Sequence, residues 1–135
     1  MLLADVRPQK LQQRPASGKW SAAQNLAHLA RYHEIFLKRI TSIQSEVRPT
    51  FTRYKAEDDP GWPEFAELPI AEVLARLQRN RRDLLEEIGK LPAEAFQRTA
   101  IHPVYGEMSL AVWVEFFLLH EAHHLMAALQ RAREV

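Results

Sequence analysis

No cysteine occurs in the 135 residues. Disulfides, thiolate metal sites and a cysteine nucleophile are therefore excluded, and any metal ion must be held by nitrogen and oxygen. The same absence fits a reducing compartment. With no basic region followed by an apolar stretch and a small-residue cleavage site at the N-terminus, the expected location is the cytoplasm. An excess of charge of one sign is also missing. Lys and Arg number 18 against 17 Asp and Glu, a formal net charge of +1, so neither nucleic acid nor an acidic lipid surface is an expected partner. Long hydrophobic runs are lacking too. The most apolar segment, Leu110 to Leu129, is broken by Glu115, His120, Glu121, His123 and His124, which makes it a poor membrane span. Nor is there an alternating strand pattern of convincing length.

What is present is 47% hydrophobic content, enough for a single domain over residues 1–135, and three long helical patterns. The first opens at Ser21, where Ser21 and Gln24 have capping-box spacing, and runs to about residue 44 with Ala22, Leu26, Leu29, Phe36, Leu37 and Ile40 on its apolar face. Residues 45–69 contain Pro49, Pro60, Gly61, Pro63 and Pro69 and read as a long connection. The second helix starts near Pro69 and carries Ile70, Val73, Leu74, Leu77, Leu84, Leu85 and Ile88 before Gly89 and Pro92 end it. The third begins near Ser109, after a turn at Val104, Tyr105 and Gly106, and continues to about Arg133. The expected fold is all-α, an antiparallel helical bundle. A fourth helix is not obvious, because Pro8, Pro15 and Gly18 leave room for only a turn or two around Met1 to Val6. Either the N-terminal segment packs irregularly or a second copy of the chain covers the open face, which predicts a homodimer.

The chemistry concentrates in His120, Glu121, Ala122, His123 and His124. At about 100° per residue, His120 and His124 lie about 40° apart on the helix and can aim at one divalent ion. His123 projects about 60° to the other side of His120, as a rival partner or a support to the ligands. Read literally the segment is also HExxH, the zinc-protease motif, with Glu121 as general base. Gln130 stands where the extended motif has its third histidine, and no strand is available to hold a peptide, so the protease reading is set aside while Glu121 stays a candidate base. A third ligand must come from another helix. His28 and His33 lie about 140° apart on the first one and do not easily reach the same ion. Wheel position slightly prefers His33, nearer the middle of the apolar arc.

Three blocks in this order and spacing, Gly18-Lys19-Trp20-Ser21 with His28-Leu29-Ala30, His102-Pro103-Val104-Tyr105-Gly106, and His120-Glu121-Ala122-His123-His124, resemble the DinB/YfiT-like superfamily over about residues 17–130. The resemblance implies a four-helix bundle holding a divalent metal through three histidines, which match His28, His120 and His124 here. It places His33 where such proteins often have Glu or His, as a pocket-lining or supporting group. This chain departs in two respects. The long helix that precedes the Trp-Ser block is almost absent, leaving a truncated or irregular N-terminal helix, and Ala127 replaces a Gln often found three residues after the last ligand.

Arg81 interrupts the apolar stripe of the second helix between Leu77 and Leu84, and needs either a partner such as Glu121, an anionic substrate group, or a path for its head to water. His102 could approach the pocket from its loop or serve the turn before Pro103. A three-histidine site leaves a coordination position open, as in catalytic rather than closed structural sites. The resemblance implies a metal-dependent enzyme acting on a small molecule, a hydrolase or a transferase using a low-molecular-weight thiol. The competing expectation is a non-catalytic binding or dimerisation module with a structural or vestigial site. Zinc, nickel, iron and manganese are all candidates for the ion.

Overall fold

The computed structural model describes residues 2–135. Its elements are the short helix α1 (Pro8–Gln12), the long helix α2 (Ala22–Ser45), the short α3 (Trp62–Ala66), α4 (Ile70–Gly89), the strands β1 (Thr99–His102) and β2 (Gly106–Ser109), and α5 (Leu110–Glu134), with 3₁₀ turns at Ala56–Asp58 and Ala93–Gln97. The three long helices fall where capping and periodicity put them. The Ser21 hydroxyl accepts from Gln24 N–H while the Gln24 side chain accepts from Ser21 N–H, and the Ser109 hydroxyl accepts from Val112 N–H to open α5. Pro69 cannot cap α4 with a side chain, and Gln12 at the end of α1 does it instead by accepting from Ile70 N–H. The N-terminal helical turn is thus at Pro8–Gln12, not around Met1 to Val6. Met1 lies outside the described residues, and residues 2–5 form turns. Pro8 suits the first helical position because the amide hydrogen it lacks would have no partner there.

Helix α2 is the spine. It packs against both α4 and α5, whereas α4 and α5 scarcely touch. Ala22, Ala23, Ala27 and Ala30 on α2 share one core cluster with Ala128 and Ala132 of α5. Small residues there let the two helices approach closely. The second cluster gathers Tyr32, Phe36, Ile40 and Ile43 with Leu84, Leu110, Trp113 and Phe117. On α5 the histidines fall between these two apolar regions in sequence, and on α2 His28 sits within the stretch that belongs to the first, just before Tyr32 opens the second.

The expectation of a purely helical chain needs one amendment. Strands β1 and β2 form an antiparallel pair in the register Thr99 to Ser109 and His102 to Gly106, closed by a three-residue loop with Gly106 in the left-handed region at φ 76°. Four-residue strands are too short to print a legible alternation. The period of two still operates: Ala100 and His102 are buried while Thr99 and Ile101 are half-buried. The connection after α2 also pairs with this hairpin, through Ile101 N–H to Pro49 O and Phe51 N–H to Ile101 O. No helix among the described residues is long and apolar enough to cross a membrane.

Candidate metal centre

The capping box fixes where α2 begins, and so which residues the next two turns present. Asn25 and His28 follow on one side of the helix. Asn25 Nδ2 donates to Ser21 O (2.9 Å), which leaves Oδ1 to accept from His124 Nδ1–H (2.9 Å). With its proton on Nδ1, His124 has a free lone pair on Nε2. Across the interface His28 Nε2 and His120 Nε2 stand 3.0 Å apart. One nitrogen from each of His28, His120 and His124 lies within 4.8 Å of the other two.

Burial, followed by the neighbouring rings of His124 and His120, lowers the His28 pKa from 6.5 to about 3. Burial first and then His124 lower His120 to about 3, and burial followed by His123 brings His124 to about 4. All three rings are neutral near pH 7, and neutral imidazole is the form that binds metal. Two imidazole nitrogens bound to one ion at about 2.0–2.1 Å would sit about 3.0–3.4 Å apart. The 3.0 Å separation of His28 and His120 meets that requirement and His124 offers a nitrogen within 4.8 Å of both, so the donor set suits a divalent ion. The Nδ1 atoms of His28 and His120 are buried without partners, so only His124 has an acceptor behind its ring.

The three rings open onto a cavity of about 590 Å³ lined also by Trp20, Tyr32, Tyr54, His102 and Phe116. Trp20, Tyr54 and Trp62 surround His28 at ring-centroid distances of 5.1, 5.6 and 6.0 Å, and Tyr32 lies 4.2 Å from His120. Tyr54 comes from the long connection, which a half-buried ion pair ties to α2. Arg31 grips Asp59 with two hydrogen bonds, Nε to Oδ2 (2.7 Å) and Nη2 to Oδ1 (3.0 Å), and Asp59 also accepts from Tyr54 OH (2.6 Å) and Gly61 N–H (2.9 Å). The guanidinium holds the Asp59 carboxyl far below the ordinary carboxylate range.

The remaining candidates separate into two groups. His102 and His123 line the cavity, His123 as an exposed residue. His33, Arg81 and Glu121 do not line it. They form a cluster of their own, in which His33 Nδ1 donates to Leu29 O (2.7 Å), Arg81 Nε donates to His33 Nε2 (3.0 Å), and an Arg81 Nη donates to Glu121. Glu121, the candidate base, has its carboxylate committed to Arg81 away from the three histidines. His33, which the wheel preferred, has both ring nitrogens occupied and does not join the triad. Sequence reasoning missed Asn25, although a polar residue one turn before His28 on an apolar face was a usable signal. It also missed Asp59, which nothing local distinguishes from Glu57 and Asp58.

A family model described as DinB superfamily matches residues 1–128. The chain belongs to the DinB superfamily. Among its relatives, the Bacillus subtilis (strain 168) protein YuaE, named as uncharacterized, is 25% identical over 135 residues, covering 91% of this chain and 83% of its own length. A Bacillus cereus (strain ATCC 10987 / NRS 248) protein named "Putative metal-dependent hydrolase" is 28% identical over 109 residues, which is 79% of this chain but 61% of its own length. The solved structure of YfiT from Bacillus subtilis, described as a probable metal-dependent hydrolase with an unusual four-helix bundle topology, superposes with a TM-score of 0.78 at 20% identity, covering 98% of this chain and 78% of that one. The four-helix bundle fold is therefore shared.

Proposed function

We propose that the chain is a divalent-metal-dependent enzyme acting on a small molecule, with His28, His120 and His124 as the ligands. The observation that carries the reading is three neutral imidazoles converging on one point at the edge of an open cavity. A bound ion would supply Lewis acidity, which makes a water or a thiol a nucleophile at neutral pH. The chain's own residues do the rest. Asn25 sets the His124 tautomer, Trp20 and Tyr54 shield His28, and the cavity has the volume of a small-molecule site. Hydrolysis is the leading reaction, supported by the names of the relatives. Transfer to a low-molecular-weight thiol is the alternative, resting on the superfamily resemblance. Glu121 is not assigned as the base, because Arg81 holds it.

The test uses untagged protein. Elemental analysis and titration with zinc, nickel, iron and manganese are expected to give one ion per chain, lost in His124→Ala, with activity on small esters, amides or thiol adducts lost in parallel. Absence of stoichiometric binding by all four ions would falsify the reading. A full metal site with no activity, and a large drop in melting temperature on chelation, would favour the non-catalytic module instead.

We further propose a homodimer. Leu118, Leu119, Leu125 and Met126 occupy an arc of about 120° on α5, turned away from His120 and His124, and with Leu74 and Leu85 of α4 they remain exposed. An apolar face of this kind marks an interaction surface. Sedimentation is expected to show a dimer that Leu119→Glu converts to a monomer; a monomeric wild type at micromolar concentration would end the proposal.

A further inference from the structure

The three histidines account for one part of the cavity wall, and another part is cationic. Arg39, Arg53 and Lys55 line it against a single carboxylate, Glu57. Among the described residues Arg53 and Lys55 make no ion pair. Arg39 is built in. Its guanidinium carbon lies 5.9 Å from the Tyr32 ring, 5.2 Å from Phe51 and 5.7 Å from Trp113, and it donates to Tyr32 OH (3.3 Å) and Thr52 O (2.9 Å). Two of the five N–H groups of an arginine are thereby used, and the others stay available. Tyr32 packs on His120 and Trp113 packs on His102 at 5.5 Å. Arg39 therefore stands between the metal centre and His102.

His102 completes the wall with a donor whose identity is fixed. Val104 N–H (3.0 Å) and Tyr105 N–H (3.1 Å) both donate to His102 Nδ1, so Nδ1 carries no proton and the ring proton is on Nε2. No group among the described residues accepts from that N–H, and His102 lines the cavity. The hairpin turn thus serves as a tautomer lock. It presents a neutral N–H donor beside cations, the combination that binds an oxyanion.

We propose that this wall is an oxyanion subsite, and that the substrate of the metal centre carries a carboxylate or phosphate held by His102 Nε2–H, Arg39 and Arg53, with Lys55 strengthening the local field. The word substrate rests on the metalloenzyme reading above; the binding of an anion does not. Anion and metal ion would occupy separate parts of one cavity, so the reacting group and the anionic group are distinct portions of one molecule.

The experiment titrates metal-free full-length protein with inorganic phosphate and, separately, with acetate, following backbone amide shifts, with acetamide as the neutral comparison. Saturable binding with a dissociation constant on the order of millimolar is expected for at least one anion. Shifts should centre on His102, Val104, Tyr105 and Arg53, with none from acetamide. The stronger of the two anions identifies the group. Arg53→Gln, at an exposed position, and His102→Asn, which keeps an acceptor for the turn but loses the distal N–H, should each weaken binding at least fivefold. No saturable binding of either anion, equal binding in both variants, or shifts centred on His28 and His124 would overturn the inference. Zinc titration of the same samples separates the two claims. Zinc binding without anion binding sinks the subsite alone, and anion binding at this wall without zinc sinks the metalloenzyme reading and leaves the subsite standing.

Discussion

Asn25 gives His124 an acceptor that neither His28 nor His120 has. Its carbonyl fixes the ring proton on Nδ1 and raises the basicity of the nitrogen left for an ion. Asn25→Ala is expected to weaken zinc binding by about 10–100-fold, whereas Asn25→Asp, which keeps an acceptor for His124 but loses the donor to Ser21 O, should weaken it less than alanine does while lowering stability. A competing chromophoric chelator reads both, and equal affinities for the alanine variant and wild type would dismiss the role. The rings also set how metal-free protein responds to acid. Their folded pKa values of about 3, 3 and 4 lie below 6.5, so between those values and 6.5 the unfolded chain binds more protons. Their contribution to stability is complete above pH 6.5 and is lost as pH falls toward 4 and 3. His33 and His102 are lowered too, chiefly by burial, and Asp59 adds a loss that starts near pH 4. The urea midpoint of metal-free protein should therefore be level above pH 7 and fall below 6.5. A triple His28→Gln, His120→Gln, His124→Gln variant should show a shallower fall between pH 6.5 and 5, and an unchanged slope would count against the assignment.

Among the elements, the connection from α2 to α3 depends on one close approach. A Cβ placed on Gly61 would lie 2.7 Å from Arg31 Nη2 and 2.9 Å from its Cζ. That guanidinium cannot retreat, because Asp59 and Glu34 hold it. Gly61→Ala should cost about 1–3 kcal/mol by urea denaturation, the range for overpacking, although the backbone angles at Gly61 suit alanine. An effect under a few tenths of a kcal/mol would show that the connection is free to shift. The sequence revealed α2, α4 and α5 almost to the residue, because Ser21, Pro69, Gly89 and Ser109 carry local stop and start chemistry. It concealed β1 and β2, whose strands are short, and α3, whose single turn begins beside a proline. It also misdirected the wheel argument toward His33. The middle of an apolar arc is where a helix is most enclosed, and His33 is enclosed there with both nitrogens used. The proposed centre, which opens to a cavity, sits at the arc's edge, where His28 is, and it was three blocks of resemblance that pointed to His28. The partner of Arg81 was easier to anticipate, since an arginine in an apolar stripe must find an acceptor.

For the whole molecule, the division of labour among the helices matters more than their number. The proposed ligands ride on α2 and α5 alone, and the cationic wall is assembled from α2, the connection after it and the hairpin before α5. Helix α4 contributes no residue to the cavity, buries only Ile70, Val73 and Leu84 among its residues, and meets α5 through the Arg81 to Glu121 pair and little else. The scarcity of contact between α4 and α5 has a consequence for motion. Opening of α4 away from α2 leaves the α2–α5 pair joined, so the two units should exchange amide hydrogens independently. Zinc is expected to slow exchange in α2 and α5 by a large factor while leaving α4 close to its metal-free rate, a split that hydrogen–deuterium exchange with mass spectrometry would resolve. Uniform protection of all three helices would mean that the bundle opens only as a single cooperative unit.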